Sequence, residues 1–190
     1  MKQWIPWFVV ALVALGLVAY GLRARDAIPK NHRLTRIGRF ERPPKEVWGI
    51  VTDSAAWPTL RTDLASIERL EDVRGHEVWR ETWPDGETVT WETVEKVGER
   101  KLVRCVTDTG GPYGGCWTIV VAPREDRSTV SVTEQLTVKS EAWRFYTGVA
   151  ARRARIEGYL TAIGAQAGGP DKFADDVREL RDAAPVTSER

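Results

Sequence analysis

The chain has 190 residues, 28 Lys+Arg against 27 Asp+Glu, and a formal charge of +1. With 42% hydrophobic and 29% charged residues, it has the balance of a folded globular chain rather than a disordered one. The near-neutral charge argues against a nucleic-acid partner, and two Cys with two His exclude a disulfide scaffold and point to no structural metal.

Trp4 to Leu22 carries no charged residue. As a helix this run reaches roughly 28 Å at about 1.5 Å per residue, close to the ~30 Å hydrocarbon core of a bilayer. Trp4 and Trp7 at one end and Tyr20 at the other fit the two interfacial belts. A cleaved signal peptide is the competing reading, but the run exceeds the usual h-region and only Lys2 precedes it. Residues 3–22 are therefore expected to be a transmembrane helix. Arg23, Arg25, Lys30 and Arg33 follow it, so the positive-inside rule predicts a single-pass protein of the cell membrane with a cytoplasmic soluble domain. Residues 23–33 read as a basic linker.

Leu34 to Glu41 reads as a short strand. Pro43-Pro44 opens a helix, with Val47, Trp48, Ile50 and Val51 on its apolar face. A second helical turn is expected over Ala55–Leu60, broken at Trp57-Pro58. From Leu64 to Val138 short alternating runs predict strands over 87–97, 101–108, 115–122 and 128–138. Asp85-Gly86 reads as a two-residue type I′ turn. Glu141 to Gln166 has helical spacing, with Phe145, Val149, Ile156, Leu160 and Ile163 on one stripe. Arg152, Arg153 and Arg155 read as the solvated face of that helix. Residues 169–190 form a polar tail in which Phe173, Val177 and Leu180 suggest one short amphipathic helix.

The three hairpin turns fix a register. It pairs Arg80 with Trp91, Glu95 with Arg104, Val121 with Val130, Ile119 with Val132 and Trp117 with Glu134. Opposed residues share a face, so one face collects Val78, Val89, Trp91, Val97, Leu102, Val106, Trp117, Ile119, Val121, Val130, Val132 and Leu136. Trp79 and Trp83 fall on the wrong side, which a bulge, a covering loop or a one-residue slip would explain. The same face receives Arg80, Glu95, Arg104, Asp108 and Glu134. Glu95 and Arg104 read as a rim ion pair. Arg80 and Glu134 read either as polar anchors in an apolar pocket or as an internal salt bridge. His76 reads as a solvated turn residue. Cys105 and Cys116 lie symmetrically about Gly110-Gly111 and can meet across a hairpin. An exported domain would oxidise them, and a cytoplasmic one is expected to keep two thiols.

Several strings carry a family resemblance. Pro43-Pro44-Lys45-Glu46-Val47-Trp48 with Ala56-Trp57-Pro58 resembles the opening helices of the SRPBCC (START/Bet v 1-like) superfamily, in its polyketide cyclase/dehydrase-like branch. Val78-Trp79-Arg80-Glu81, the run from Gly111 to Thr118 and Val130-Ser131-Val132-Thr133-Glu134 resemble its central strands. Trp143-Arg144-Phe145 leading to Gly158-Tyr159-Leu160 resembles its last helix. The resemblance covers residues 34–168. It implies an α+β helix-grip fold, with a curved seven-stranded antiparallel sheet around a long C-terminal helix and a hydrophobic cavity between them.

The sequence thus predicts a membrane-anchored domain that binds an apolar small molecule or lipid and uses no cofactor. Trp91, Trp117, Ile119, Val132, Phe145, Val149 and Ile156 are expected to line the pocket, with Tyr113 near its mouth. Two alternatives stand beside it. One is a cyclase or dehydratase in which Glu134 acts as general base and Arg80 stabilises an enolate. The other is a structural module that docks through an exposed Trp79/Trp83 patch.

Overall fold

The computed structural model describes Val13, Leu15 and residues 31–108, 110–111, 113–139, 149–170 and 173–175. Among these residues no helix is long and apolar enough to cross a membrane. The span expected over 3–22 lies outside them except for Val13 and Leu15.

Seven strands form one antiparallel sheet: β1 (Asn31–Phe40), β2 (Ser66–Arg69), β3 (Val78–Thr82), β4 (Thr88–Val97), β5 (Lys101–Val106), β6 (Tyr113–Arg124) and β7 (Arg127–Val138). Their order is β1-β7-β6-β5-β4-β3-β2. Helices α1 (Pro44–Thr52) and α2 (Trp57–Leu60) follow β1, and α3 (Val149–Ala167) follows β7. This is the expected helix-grip order. β1 starts at Asn31, inside the expected linker, because its pairing with β7 runs on through Asn31↔Thr137.

Local chemistry accounts for the helix starts. Pro44 sits in the first turn of α1 and Pro58 in that of α2, where a missing N–H costs nothing. Pro58 therefore starts α2 rather than breaking it. Val47, Trp48 and Val51 bury the inner face of α1. The stripe of α3 is buried at Ile156, Leu160 and Ile163; Phe145 lies outside the described residues.

The β6–β7 register is as expected, with Trp117↔Glu134, Ile119↔Val132 and Val121↔Val130. The β3–β4 register is displaced by one: Trp79 faces Trp91, Arg80 faces Thr90 and Glu81 faces Val89. The cause is Pro84. Its fixed φ suits the second position of a turn, and Gly86 N–H donates to the Trp83 carbonyl at 3.0 Å. Gly86 then takes φ +86, giving a three-residue loop closed by Trp83 N–H to the Glu87 carbonyl at 2.8 Å. A one-residue slip exchanges the faces of a strand. Trp79 and Glu81 therefore join Trp91 and Val89 on the concave face, while Val78 and Arg80 leave it.

A second irregularity falls in β4. Thr93 pairs with Arg104 but Glu95 pairs with Val103, so Val94 bulges between them. The bulge sends Glu95 and Val97 away from the expected concave positions, and Val97 is exposed. Cys105 pairs with Cys116 and forms a disulfide with it, which is the alternative expected of an exported domain. The expected tail folds back in part: Ile37 and Ala174 exchange backbone hydrogen bonds of 3.1 and 3.0 Å, so Phe173–Asp175 cover the free edge of β1.

Candidate functional site

The concave face of the sheet, α2 and α3 enclose an aromatic box. Trp91 and Trp117 lie 5.5 Å apart, ring centre to ring centre. Trp117 meets Tyr159 of α3 edge-on at 5.6 Å, and Trp57 of α2 stacks on Tyr159 at 4.5 Å. Trp117 comes from β6, Trp91 from β4, Trp57 from the start of α2 and Tyr159 from the middle of α3, so four segments far apart in sequence converge.

Both sheet indoles of the box, Trp91 and Trp117, are held by a carboxylate. Trp91 Nε1 donates to Glu81 at 3.2 Å, and Trp117 Nε1 donates to Glu134 at 3.0 Å. Arg152 of α3 reaches the other oxygen of Glu134 at 3.5 Å. Glu134 and Arg152 are both buried, so each charge is matched where water cannot screen it. The expected partner, Arg80, is exposed and pairs with Glu68 at 3.3 Å. The one-residue slip of β3 moved it to the opposite face. The arginines of α3 are not a solvated row. Arg152 points into the core, Arg153 meets Asp175, and Arg155 lies 3.8 Å from Glu87 with its guanidinium 4.4 Å from the centre of the Trp83 ring.

The expected Glu95–Arg104 pair is also absent. Glu95 binds Lys101 at 2.9 Å, whereas Arg104 is buried and donates to the Ser54 hydroxyl at 2.6 Å, between α1 and α2. Asp108 is exposed and caps the following loop, accepting from the amides of Gly110 and Gly111. His76 is half-exposed in a turn, but it meets Glu92 at 2.7 Å and is not simply solvated. That hydrogen bond, helped by Arg74, holds the Glu92 carboxyl below the ordinary range.

At the open end Tyr113 donates to Glu87 at 2.7 Å. Glu87, Val89, Val106, Asp108, Gly111 and Tyr113 line a pocket of about 110 Å³. Burial and the neighbouring Glu87 both push the Tyr113 hydroxyl well above its usual value. Burial likewise pushes Tyr159 up to about 12, against the opposing pull of Arg104 and Arg61. Arg61 is nine-tenths buried or more, lies over Tyr159 at 5.8 Å, and makes two hydrogen bonds to Asp63, of 2.6 and 2.7 Å.

The expected lining residues fall into two groups. Ile119, Val132 and Ile156 have no accessible surface, so protein atoms surround them completely. Trp91 and Trp117 retain 7% and Tyr113 retains 9%, so residual surface persists at the aromatic end. Val149 is the first residue of α3, and Phe145 lies outside the described residues. The sequence reading did not select Glu81, Arg152, Trp57 or Tyr159. Glu81 became legible only with the correct β3–β4 register. The pairing of Arg152 needed the rotation of α3 about its axis.

No protein-family model and no curated protein sequence matches the chain. Solved structures do. An aromatase/cyclase, Zhui, from a Streptomyces species matches with a TM-score of 0.62 at 14% identity, over 72% of this chain and 93% of that one. A START superfamily protein from Mycobacterium smegmatis matches with a TM-score of 0.59 at 12% identity, over 72% and 97%. Norcoclaurine synthase from Thalictrum flavum matches with a TM-score of 0.57 at 14% identity, over 71% and 85%.

Proposed function

We propose that this domain binds an apolar small molecule or lipid between the concave sheet and α3, at the aromatic end of that space. It has the START-like, helix-grip fold that these proteins share, and at such low identity the likeness carries the fold alone. The observation that carries the reading is the residual surface of Trp91, Trp117 and Tyr113 beside Ile119, Val132 and Ile156, which have none. Aromatic walls with a few fixed polar groups are the usual make-up of a small-molecule site. In this reading the run from Trp4 to Leu22 tethers the domain to the cell membrane. A tether would concentrate the pocket near lipid-soluble guests. Native mass spectrometry of the detergent-extracted full chain tests it: a retained lipid-like adduct is expected. A bare mass, together with unchanged tryptophan fluorescence on adding apolar compounds, would end it.

A second reading is catalytic, and the buried Glu134 favours it. Glu134 would take a proton from a bound guest while Arg152, not Arg80, balanced its charge. A Glu134→Gln variant should then bind guest as wild type does but lose turnover. The scaffold reading loses its support, because Trp79 lies under Arg69 at 5.3 Å and Trp83 under Arg155, and both are half-buried.

A further inference from the structure

Among the described residues Arg104 is a buried cation with no ion-pair partner. It is 8% exposed, and its one hydrogen bond is the donation to Ser54. Among the described residues no carboxylate forms an ion pair with it. Glu134 is engaged with Trp117 and Arg152, and Glu81, which accepts the Trp91 indole N–H and is half-buried, makes no hydrogen bond or ion pair to Arg104. Asp63 is engaged with Arg61. Arg104 Nε is buried without a hydrogen-bond partner.

Its neighbours share this condition. Thr93, directly opposite Arg104 in the β4–β5 register, has a buried hydroxyl with no partner. So has Tyr159, whose ring meets Trp117, the residue opposite Arg104 in the β5–β6 register. Trp57, stacked on Tyr159, has an unpaired buried indole N–H. Guanidinium and indole N–H groups can only donate, and the two hydroxyls can donate as well. Three unpaired donors beside a cation that itself has one describe half of a recognition site, and the missing half is an acceptor carrying negative charge. A neutral guest would satisfy some donors but leave the Arg104 charge unmatched.

Resting on the binding reading above, we infer that the guest is an apolar acid. Its anionic oxygens are taken by Arg104 with Thr93, Tyr159 and Trp57, and its apolar body lies against Trp91 and Trp117. This separates the polar groups by role. Glu134 and Glu81 fix the indole walls, and Arg104 reads the charge of the guest.

The test compares 2-naphthoate with 2-naphthamide, which share the ring system and differ in charge. Each is titrated calorimetrically into the detergent-solubilised full chain, with the detergent blank subtracted. Wild type is expected to bind the naphthoate at least tenfold more tightly. Arg104→Gln should remove that preference and leave the naphthamide affinity within about twofold, while Arg80→Gln, on the opposite face, should change neither. Equal binding of both compounds by wild type overturns the acid inference and leaves the apolar-guest reading standing. Binding of neither overturns both. A preference that survives intact in Arg104→Gln also overturns the assignment. If Arg104→Gln does not fold, Arg104→Lys takes its place: it keeps the charge but not the guanidinium geometry, and the preference should fall several-fold. An unchanged preference in Arg104→Lys overturns the assignment too.

Discussion

Glu134 holds Trp117 and Arg152 at once, accepting the indole N–H on one oxygen at 3.0 Å and facing the guanidinium with the other at 3.5 Å. One carboxylate on β7 thus sets an aromatic wall on β6 and locks the rotation of α3. Removing it takes an acidic partner from a buried cation, a change that costs about 3–5 kcal/mol when one member of such a pair is deleted. Glu134→Ala is expected to lower the unfolding free energy by an amount of that order in urea titrations. The double variant Glu134→Leu/Arg152→Leu should recover most of it, since an apolar pair of similar volume needs no charge balance. Equal losses in the two variants would show that the pair is not the source.

Tyr159 ionises late. Its hydroxyl is pushed up to about 12 by burial, and a native-state pKa raised above the unfolded value near 10 favours folding while the proton stays on. That contribution is complete below about pH 10 and is lost as pH rises toward 12, amounting to about 3 kcal/mol at most. In an ultraviolet titration of phenolate absorbance, two of the four tyrosines, Tyr113 and Tyr159, should appear only at the alkaline end. Tyr159→Phe should remove one of those late signals. A full four-tyrosine signal near pH 10 with native circular dichroism would contradict this.

Asp63 behaves in the opposite sense. Burial alone would raise its carboxyl, but the hydrogen bonds and charge of Arg61 outweigh that and hold it below the usual range. A depressed native pKa stabilises the fold above the unfolded value and loses that contribution as pH falls through the native one. The wild type should therefore lose stability between about pH 5 and 2 more steeply than Asp63→Asn does. Parallel acid limbs for the two proteins would remove Asp63 from the account.

The Cys105–Cys116 disulfide joins adjacent strands across eleven positions. On chain-entropy grounds, closing so short a loop stabilises the fold by about 2–3 kcal/mol. Cys105→Ser/Cys116→Ser should lower the urea midpoint correspondingly, and the wild type under reducing agent should fall to the same midpoint. A midpoint that reducing agent leaves unmoved would mean that the two thiols are not joined in solution.

Two helical glycines should respond oppositely to alanine. A Cβ at Gly49, exposed on α1, meets nothing within 4 Å, so Gly49→Ala is expected to stabilise by up to about 1 kcal/mol. A Cβ at Gly164 on α3 would lie 1.5 Å from the Gly169 carbonyl oxygen. The turn after α3 must then move away from the end of β1, where its Gly168 carbonyl accepts from the Glu41 amide at 3.1 Å. The clash should exceed the propensity gain, and Gly164→Ala is expected to destabilise by about 1–3 kcal/mol. Thermal melts of the two single variants decide it.

The sequence by itself determined the order of the elements, the helix start at Pro44, the β6–β7 register and the buried stripe of α3. These features rest on interactions local to a turn or on a repeated apolar period, both of which are written along the chain. It also placed Trp91, Trp117 and Glu134 on the concave face. Only the tertiary structure decided which charges enter the site. Pro84 moved the β3–β4 register by one residue, exchanging Arg80 for Glu81, and the Val94 bulge separated Glu95 from Arg104. Each is a single-residue backbone displacement, and in a pleated strand such a displacement reverses every side chain beyond it. The partners of Arg104 and Glu134 then come from Ser54 before α2 and Arg152 on α3, segments whose approach is set by packing and has no signature in local spacing.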